Sequence, residues 1–185
     1  MRREPMAKKI FTKQMILEKA GLLAEDAGLY KLSMRKIAKG LGSSITPIYE
    51  SFNSKDDLIE ALFQQIIREN LNAGSYYERN EQILLYGLHN PVLYRDIRRH
   101  APSSHYFHEF HREIIELMKQ EPALSCFDEK ILKSLNFDIT IYMNGLVEES
   151  MVSSLEPRME ENEYIRVLRQ VTELFVLGYE KAIMA

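Results

Sequence analysis

The sequence predicts an all-α chain of about nine helices. Three observations carry that prediction. Apolar residues recur at helical spacing through nearly every segment, no period-two alternation lasts long enough to demand a sheet, and Gly, Pro, Ser and Asn breaks cut the chain into helix-sized lengths. With 45% hydrophobic and 28% charged residues over 185 positions, the chain can bury a core, which excludes disordered and collagen-like classes. The single cysteine, Cys126, excludes an internal disulfide and points to a reducing compartment. No run of about 18 apolar residues could span a membrane. The basic start, Met1-Arg2-Arg3, leads into a segment with Lys13, Gln14, Glu18 and Lys19 rather than an apolar run, so it is not a secretory signal. The expected location is the cytoplasm.

The net charge of -3 hides an uneven distribution. Residues 1–49 hold ten basic side chains against four acidic ones, a surplus of six, so the remainder carries a deficit of nine. A basic head on an acidic body suits a polyanion-binding module joined to something else, because phosphate binding depends on local charge.

Taken in order, Thr12 is placed to N-cap a helix in which Met15, Ile16, Ala20, Leu23 and Ala27 share a face, and Gly28 stops it. Ser33 caps a short helix, Met34 to Lys39, with Met34, Ile37, Ala38 and Leu41 turned inward; Gly42 ends it. Ser43-Ser44 offers the next cap, and residues 45–51 make a second short helix with Pro47 in its first turn, where a missing N–H matters least. Ser54 and Asp57 form a capping-box-like pair opening a helix from Lys55 to about Asn72, with Leu58, Ala61, Leu62 and Ile66 on one face. Small Ala38 at the crossing, Gly42 at the turn, and Ile37, Leu41 and Ile48 between the helices describe a helix-turn-helix, although a generic αα-corner has the same spacing.

Read as a unit, Leu32-Ser-Met-Arg-Lys-Ile-Ala-Lys-Gly-Leu-Gly-Ser-Ser-Ile-Thr-Pro-Ile-Tyr-Glu-Ser-Phe-Asn-Ser-Lys-Asp-Asp-Leu58 resembles the N-terminal DNA-binding domain of the tetracycline-repressor (TetR) family of bacterial transcriptional regulators. The features that match are the Ala38/Leu41-Gly42 turn, the Ile48-Tyr49 pair, Phe52, and Lys55 followed by Asp57-Leu58. The resemblance covers roughly residues 8–62. It implies a helix-turn-helix DNA-binding domain, set here at 1–53, and a helical effector-binding and dimerisation domain at 54–185.

In a helix-turn-helix the start of the second helix lies nearest the base edges. Ser44, Ile45, Thr46 and Pro47 occupy that turn, with Thr46 suited to a base-edge hydrogen bond and Ile45 or Pro47 to a thymine methyl. Tyr49, at the family's tyrosine position, is expected to bond a phosphate, and Lys55 to contact the backbone with help from the helix dipole. Ser33 and Arg35 are expected to add phosphate contacts. Ser51 departs from the aromatic or imidazole side chain often found there, so no base contact is assigned to it. Lys8, Lys9 and Lys13 could follow phosphates from an arm or simply be solvated.

Beyond Asn72, breaks at Gly74-Ser75, Asn90-Pro91, Ala101-Pro102-Ser103, Glu121-Pro122 and Glu156-Pro157 delimit helices near 77–89, 91–100, 104–120, 127–155 and 161–183. The last two are apolar nearly all round in places and must be covered on more than one side. Internal core alone could do this; the resemblance implies that they also build a four-helix homodimer interface, as an inverted-repeat operator in double-stranded DNA requires.

The resemblance also implies a small-molecule effector site between the DNA-binding head and that seam. Tyr86, Tyr94, Tyr106, Phe107, Phe110, Phe137, Tyr142 and Met143 could line an apolar pocket there, or serve as core. All five histidines fall at 89, 100, 105, 108 and 111. Neighbours among the last three could share a metal with Glu109 or Asp96, but the cluster matches no metal signature and has no cysteine ligand, so no metal or cofactor is assigned. Neither a nucleophile elbow nor a Gly-rich phosphate loop is present, so the chain is not expected to be an enzyme. The expected function is a dimeric repressor released from its operator by an effector. The alternative is a regulator of the same fold acting through a protein partner without a small ligand.

Overall fold

The computed structural model describes residues 11–72, 74–100, 104–152 and 159–184. Among the described residues there are nine α-helices and no strand, as the periodicity predicts. Lys8, Lys9, the break at 101–103, the end of the 127–155 segment and the Glu156-Pro157 break lie outside the described residues. The chain divides into two compact units, one ending at Leu62 and one beginning at Phe63.

In the first unit, α1 (Lys13–Ala27) starts where the Thr12 hydroxyl accepts the Met15 N–H at 3.2 Å, and it buries Ile16, Leu17, Ala20 and Ala24. Gly28 ends it, and a single 3-10 turn, Leu29–Lys31, leads to α2 (Met34–Leu41), capped by Ser33. The short α3 (Thr46–Ser51) and then α4 (Lys55–Asn70) follow. The expected pair at the head of α4 forms on one side, with the Ser54 hydroxyl accepting the Asp57 N–H at 3.0 Å. Both α2 and α3 pack on α1 and on each other, around the fully enclosed Ile16, Ile37, Ile48 and Leu58. Leu62 is also buried, with its side chain against Gly21. The compact unit therefore reaches half-way along α4 rather than stopping before it.

The second unit holds the rest of α4 with α5 (Tyr76–His89), α6 (Pro91–His100), α7 (His105–Gln120), a 3-10 turn at Pro122–Leu124, α8 (Glu129–Val152) and α9 (Glu161–Met184). Ser75 and Ser104 cap α5 and α7 through their hydroxyls. Asp128 Oδ1 accepts the Ile131 N–H at 2.8 Å, so α8 begins at Glu129, and Phe127, expected inside the helix, is buried just before it. The enclosed helix is α5, which packs against α6, α7, α8 and α9. The long pair α8 and α9 pack on one another yet leave Phe137, Ile141, Leu174 and Leu177 more than half exposed. Polar links join the same elements: Tyr179 Oη donates to Asp138 Oδ2 at 2.7 Å, and the Arg169 guanidinium forms a bidentate pair with Glu81.

The close approach at the centre of this unit depends on Gly87. A Cβ there would sit 2.7 Å from Val147 Cγ2 and 3.2 Å from Tyr94 Cδ2. Gly145, by contrast, has nothing within 4 Å of its would-be Cβ in the chain. Overpacking of this kind costs about 1–3 kcal/mol, and each kcal/mol lowers Tm by about 2–4 °C in a chain of this size. Gly87→Ala should therefore lower Tm by several degrees in a thermal melt, and adding Val147→Ala should recover part of the loss by removing the methyl that the new Cβ meets.

Candidate functional site

The turn between α2 and α3 is held by backbone geometry. Gly42 adopts φ 66°, ψ 35°, the left-handed conformation that costs a residue with a Cβ. In that conformation its N–H reaches the Lys39 carbonyl at 3.1 Å and the next N–H, from Ser43, reaches the Ala38 carbonyl at 2.9 Å. This is the Schellman arrangement, which satisfies the last carbonyls of α2 and reverses the chain sharply. The expected Ser43-Ser44 cap does not form: Ile45 occupies the N-cap of α3 without a side-chain bond, and the Ser43 hydroxyl donates instead to the Ser44 carbonyl at 2.9 Å. Pro47 lacks an N–H, so α3 has one fewer amide to satisfy at its uncapped start.

That geometry sorts the expected contact residues. Ser44, Thr46 and Tyr49 are exposed, Tyr49 by 53%. Ile45 and Pro47 are half-buried, and Ile48, which follows them, is fully enclosed, anchoring α3. Ser51 donates its hydroxyl to the Pro47 carbonyl at 3.0 Å. Arg35 is exposed on α2, while the Ser33 oxygen already accepts the Lys36 N–H at 3.3 Å. Lys55 is half-buried, and its ammonium donates to the Leu29 carbonyl at 3.1 Å. An ammonium has three donors, so this bond ties α4 to the 3-10 turn and leaves two protons for another acceptor. Lys13 lies over the Phe52 ring, 5.1 Å from its centroid.

The second unit contains a narrow, largely apolar cavity of about 60 Å³ that opens to solvent. One helix face from each of five elements builds it. These are Phe63, Ile66 and Ile67 of α4; Asn80, Ile83 and Tyr86 of α5; Tyr94, Ile97 and Arg98 of α6; Phe107, Phe110, His111 and Ile114 of α7; and Asn136, Thr140 and Met143 of α8. Of the aromatic and sulfur set read from the sequence, Tyr86, Tyr94, Phe107, Phe110 and Met143 are in this lining. Phe137 is 63% exposed in a neighbouring groove, and Tyr142 is half-buried on α8 outside the lining. The reason is helical register. On α8 the inward face runs 136, 140, 143, and Phe137 and Tyr142 are each one residue, about 100°, off it.

Several cavity groups are polar. Tyr94 Oη donates to Asn144 Oδ1 at 2.7 Å, and burial pushes its pKa up to about 12, so it stays a donor. Burial first, then the charge of Arg98 and His108, holds His111 below its ordinary value of 6.5. The imidazole packs edge-on against Phe107, 4.7 Å between centroids. Asn80 is buried, with its side chain beside the Tyr76 hydroxyl. His105 sits 3.4 Å from Glu109, and among the described residues no group of three or more His, Cys, Asp or Glu is arranged to hold a metal. Nor is any described helix long and apolar enough to cross a membrane.

Residues 16–62, the segment with the Gly42 turn at its centre, match the family model of bacterial regulatory proteins, tetR family. The N-terminal domain belongs to the TetR family. The fold of the whole chain agrees. A transcriptional regulator from Rhodococcus sp. Rha1 superposes with a TM-score of 0.58 at 14% identity, covering 93% of this chain and 97% of that one. TetR from Acinetobacter baumannii AYE does so with 0.59 at 17%, covering 93% and 98%. A variant of that TetR in complex with minocycline gives 0.55 at 16%, with the same coverage of 93% and 98%. No curated protein matches the chain. The chain thus has the fold of a TetR-family transcriptional regulator, a DNA-binding helix-turn-helix domain followed by a helical one.

In this TetR fold, sequence reading missed Asn80, Arg98, Asn136 and Thr140 in the cavity. A signal for Arg98 was present: it lies four residues after Tyr94 and so on the same helix face. His111 offers a test of the cavity's electrostatics. Its folded-state pKa is depressed, so the unfolded chain binds more protons below about pH 6.5, and the folded state loses stability as pH falls through that value. Tm should therefore drop between about pH 7 and pH 5, and His111→Gln should make that drop shallower in parallel melts.

Proposed function

We propose that the chain is a homodimeric, cytoplasmic repressor that binds an inverted-repeat operator in double-stranded DNA and is released by a small-molecule effector. The observation that carries the reading is the Gly42 turn, with Thr46 and Tyr49 exposed at the start of α3. Thr46 reads a base edge, with Ser44, Ile45 and Pro47 beside it, while Tyr49, Lys55, Ser33 and Arg35 hold phosphates. Dimerisation is supported by the exposed apolar side chains on α8 and α9, since two heads must present their reading helices about 34–36 Å apart. The cavity supports the effector over a protein partner alone, because an apolar cavity with a few polar groups at its wall is the kind of lining that holds a small ligand. Helix α4 begins in the DNA-binding unit and lines the cavity through Phe63, Ile66 and Ile67. Ligand binding would favour an α4 position in which the two heads no longer match successive grooves, a shift of population rather than a blocked groove.

The test is binding of the purified protein to DNA selected from a random pool, read by fluorescence anisotropy across salt concentrations. Tyr49→Phe should weaken binding nearly evenly across sequences. Lys55→Ala should do the same and lower the salt slope by about one unit. Thr46→Ala should relax discrimination at one or two positions per half-site by about 1–3 kcal/mol. Unchanged sequence preference in Thr46→Ala would refute this reading surface.

A further inference from the structure

The cavity and the groove beside it share one wall. Arg98, His111, Asn136 and Thr140 line both, so this wall is where a ligand body held in the cavity would meet the groove. The two spaces differ in chemistry: the cavity is almost wholly apolar, whereas the groove adds Arg112, Lys133 and His108 together with Glu116 and Glu129.

The groove's carboxylates are already paired. Glu129 lies 2.7 Å from Lys133 and 3.0 Å from Lys119, and Glu116 lies 2.7 Å from Lys119. Among the described residues, neither Arg98 nor Arg112 forms an ion pair with a carboxylate. Arg98 is half-buried at the shared wall, with the cavity's apolar side chains on one side of it. A guanidinium in that position presents a planar fork of donors at the edge of a poorly solvated space, where a charge-assisted bond is stronger than at the surface. Asn136 and Thr140, on the same face of α8, add short polar groups at the same wall.

We propose that the cavity takes an amphipathic monoanion, an apolar chain or ring system ending in a carboxylate, with the body between α4 and α8 and the carboxylate received by Arg98. This rests on the reading of the cavity as an effector site and assigns that effector's chemical class. A cationic ligand would place its charge beside Arg98, and a neutral one would leave the guanidinium without its counter-charge.

The experiment is calorimetric titration of the full chain with decanoate, decanol and decylamine, three probes with the same chain and different heads. Decanoate should bind tightest, and Arg98→Gln should weaken it about tenfold, with Arg98→Lys recovering part of the loss and decanol affinity little changed. Thermal melts of both variants establish that each is folded. Decanol or decylamine binding as tightly as decanoate, or a decanoate preference that survives Arg98→Gln, overturns the anionic class and leaves the effector reading standing. No binding by any of the three overturns the proposal, and a cavity that also accepts no compound from a broad ligand screen removes the effector reading with it.

Discussion

The left-handed conformation of Gly42 is the constraint on which the DNA-binding unit depends. With φ at 66°, a side chain at this position would introduce strain of about 1 kcal/mol or more. The conformation also aligns two consecutive N–H groups with the Ala38 and Lys39 carbonyls, so α2 ends with its hydrogen bonds satisfied and the chain turns at once into α3. Ile48 is then carried into the core against Ile37 and the α1 face, and the opposite side of α3 has only solvent to face. Exposure of Thr46 and Tyr49 is the consequence of that anchoring. A six-residue helix with no side-chain cap has little stability of its own, so its position is set by the turn before it and the core beneath it.

Helix α4 carries the consequence onward. Its first half, through Leu58 and Leu62, completes the core of the DNA-binding unit, and its start is tied by Lys55 to the Leu29 carbonyl. Its second half supplies three apolar side chains to the cavity wall.

Much of the fold was legible in the sequence because its signals are local. Caps at Thr12, Ser33 and Ser54, and glycines at 28 and 42, mark element ends by hydrogen-bond chemistry that can be read from the local sequence. The cavity was harder to read because it is made by five helices at once. Choosing aromatic residues found Tyr94 and Phe107 but also Phe137, since residue type carries no information about which face of α8 points inward. The stripe that does, Asn136, Thr140 and Met143, is polar at two of its three positions and so gives no hydrophobic signal. Lys55 illustrates a different limit. Its charge suggested a phosphate contact, and the bond to a carbonyl in a turn 26 residues earlier could be seen only once the chain had folded. Gly87 belongs with it, because the contact it permits is to Val147 on another helix.

The charge balance fits the same division. A net -3 is the sum of a basic head and an acidic body, and phosphate attraction is local at physiological salt, with a Debye length of about 8 Å. The claim at the centre of the account is that two copies of the Gly42 turn place their reading helices in successive major grooves. Hydroxyl-radical footprinting of the purified protein on the DNA flanking its own coding region tests it most directly. The account predicts two protected patches related by an inverted repeat, their centres about one helical turn, 34–36 Å, apart or a multiple of it. Uniform, sequence-independent protection, or a single patch that persists at saturating protein, would contradict it.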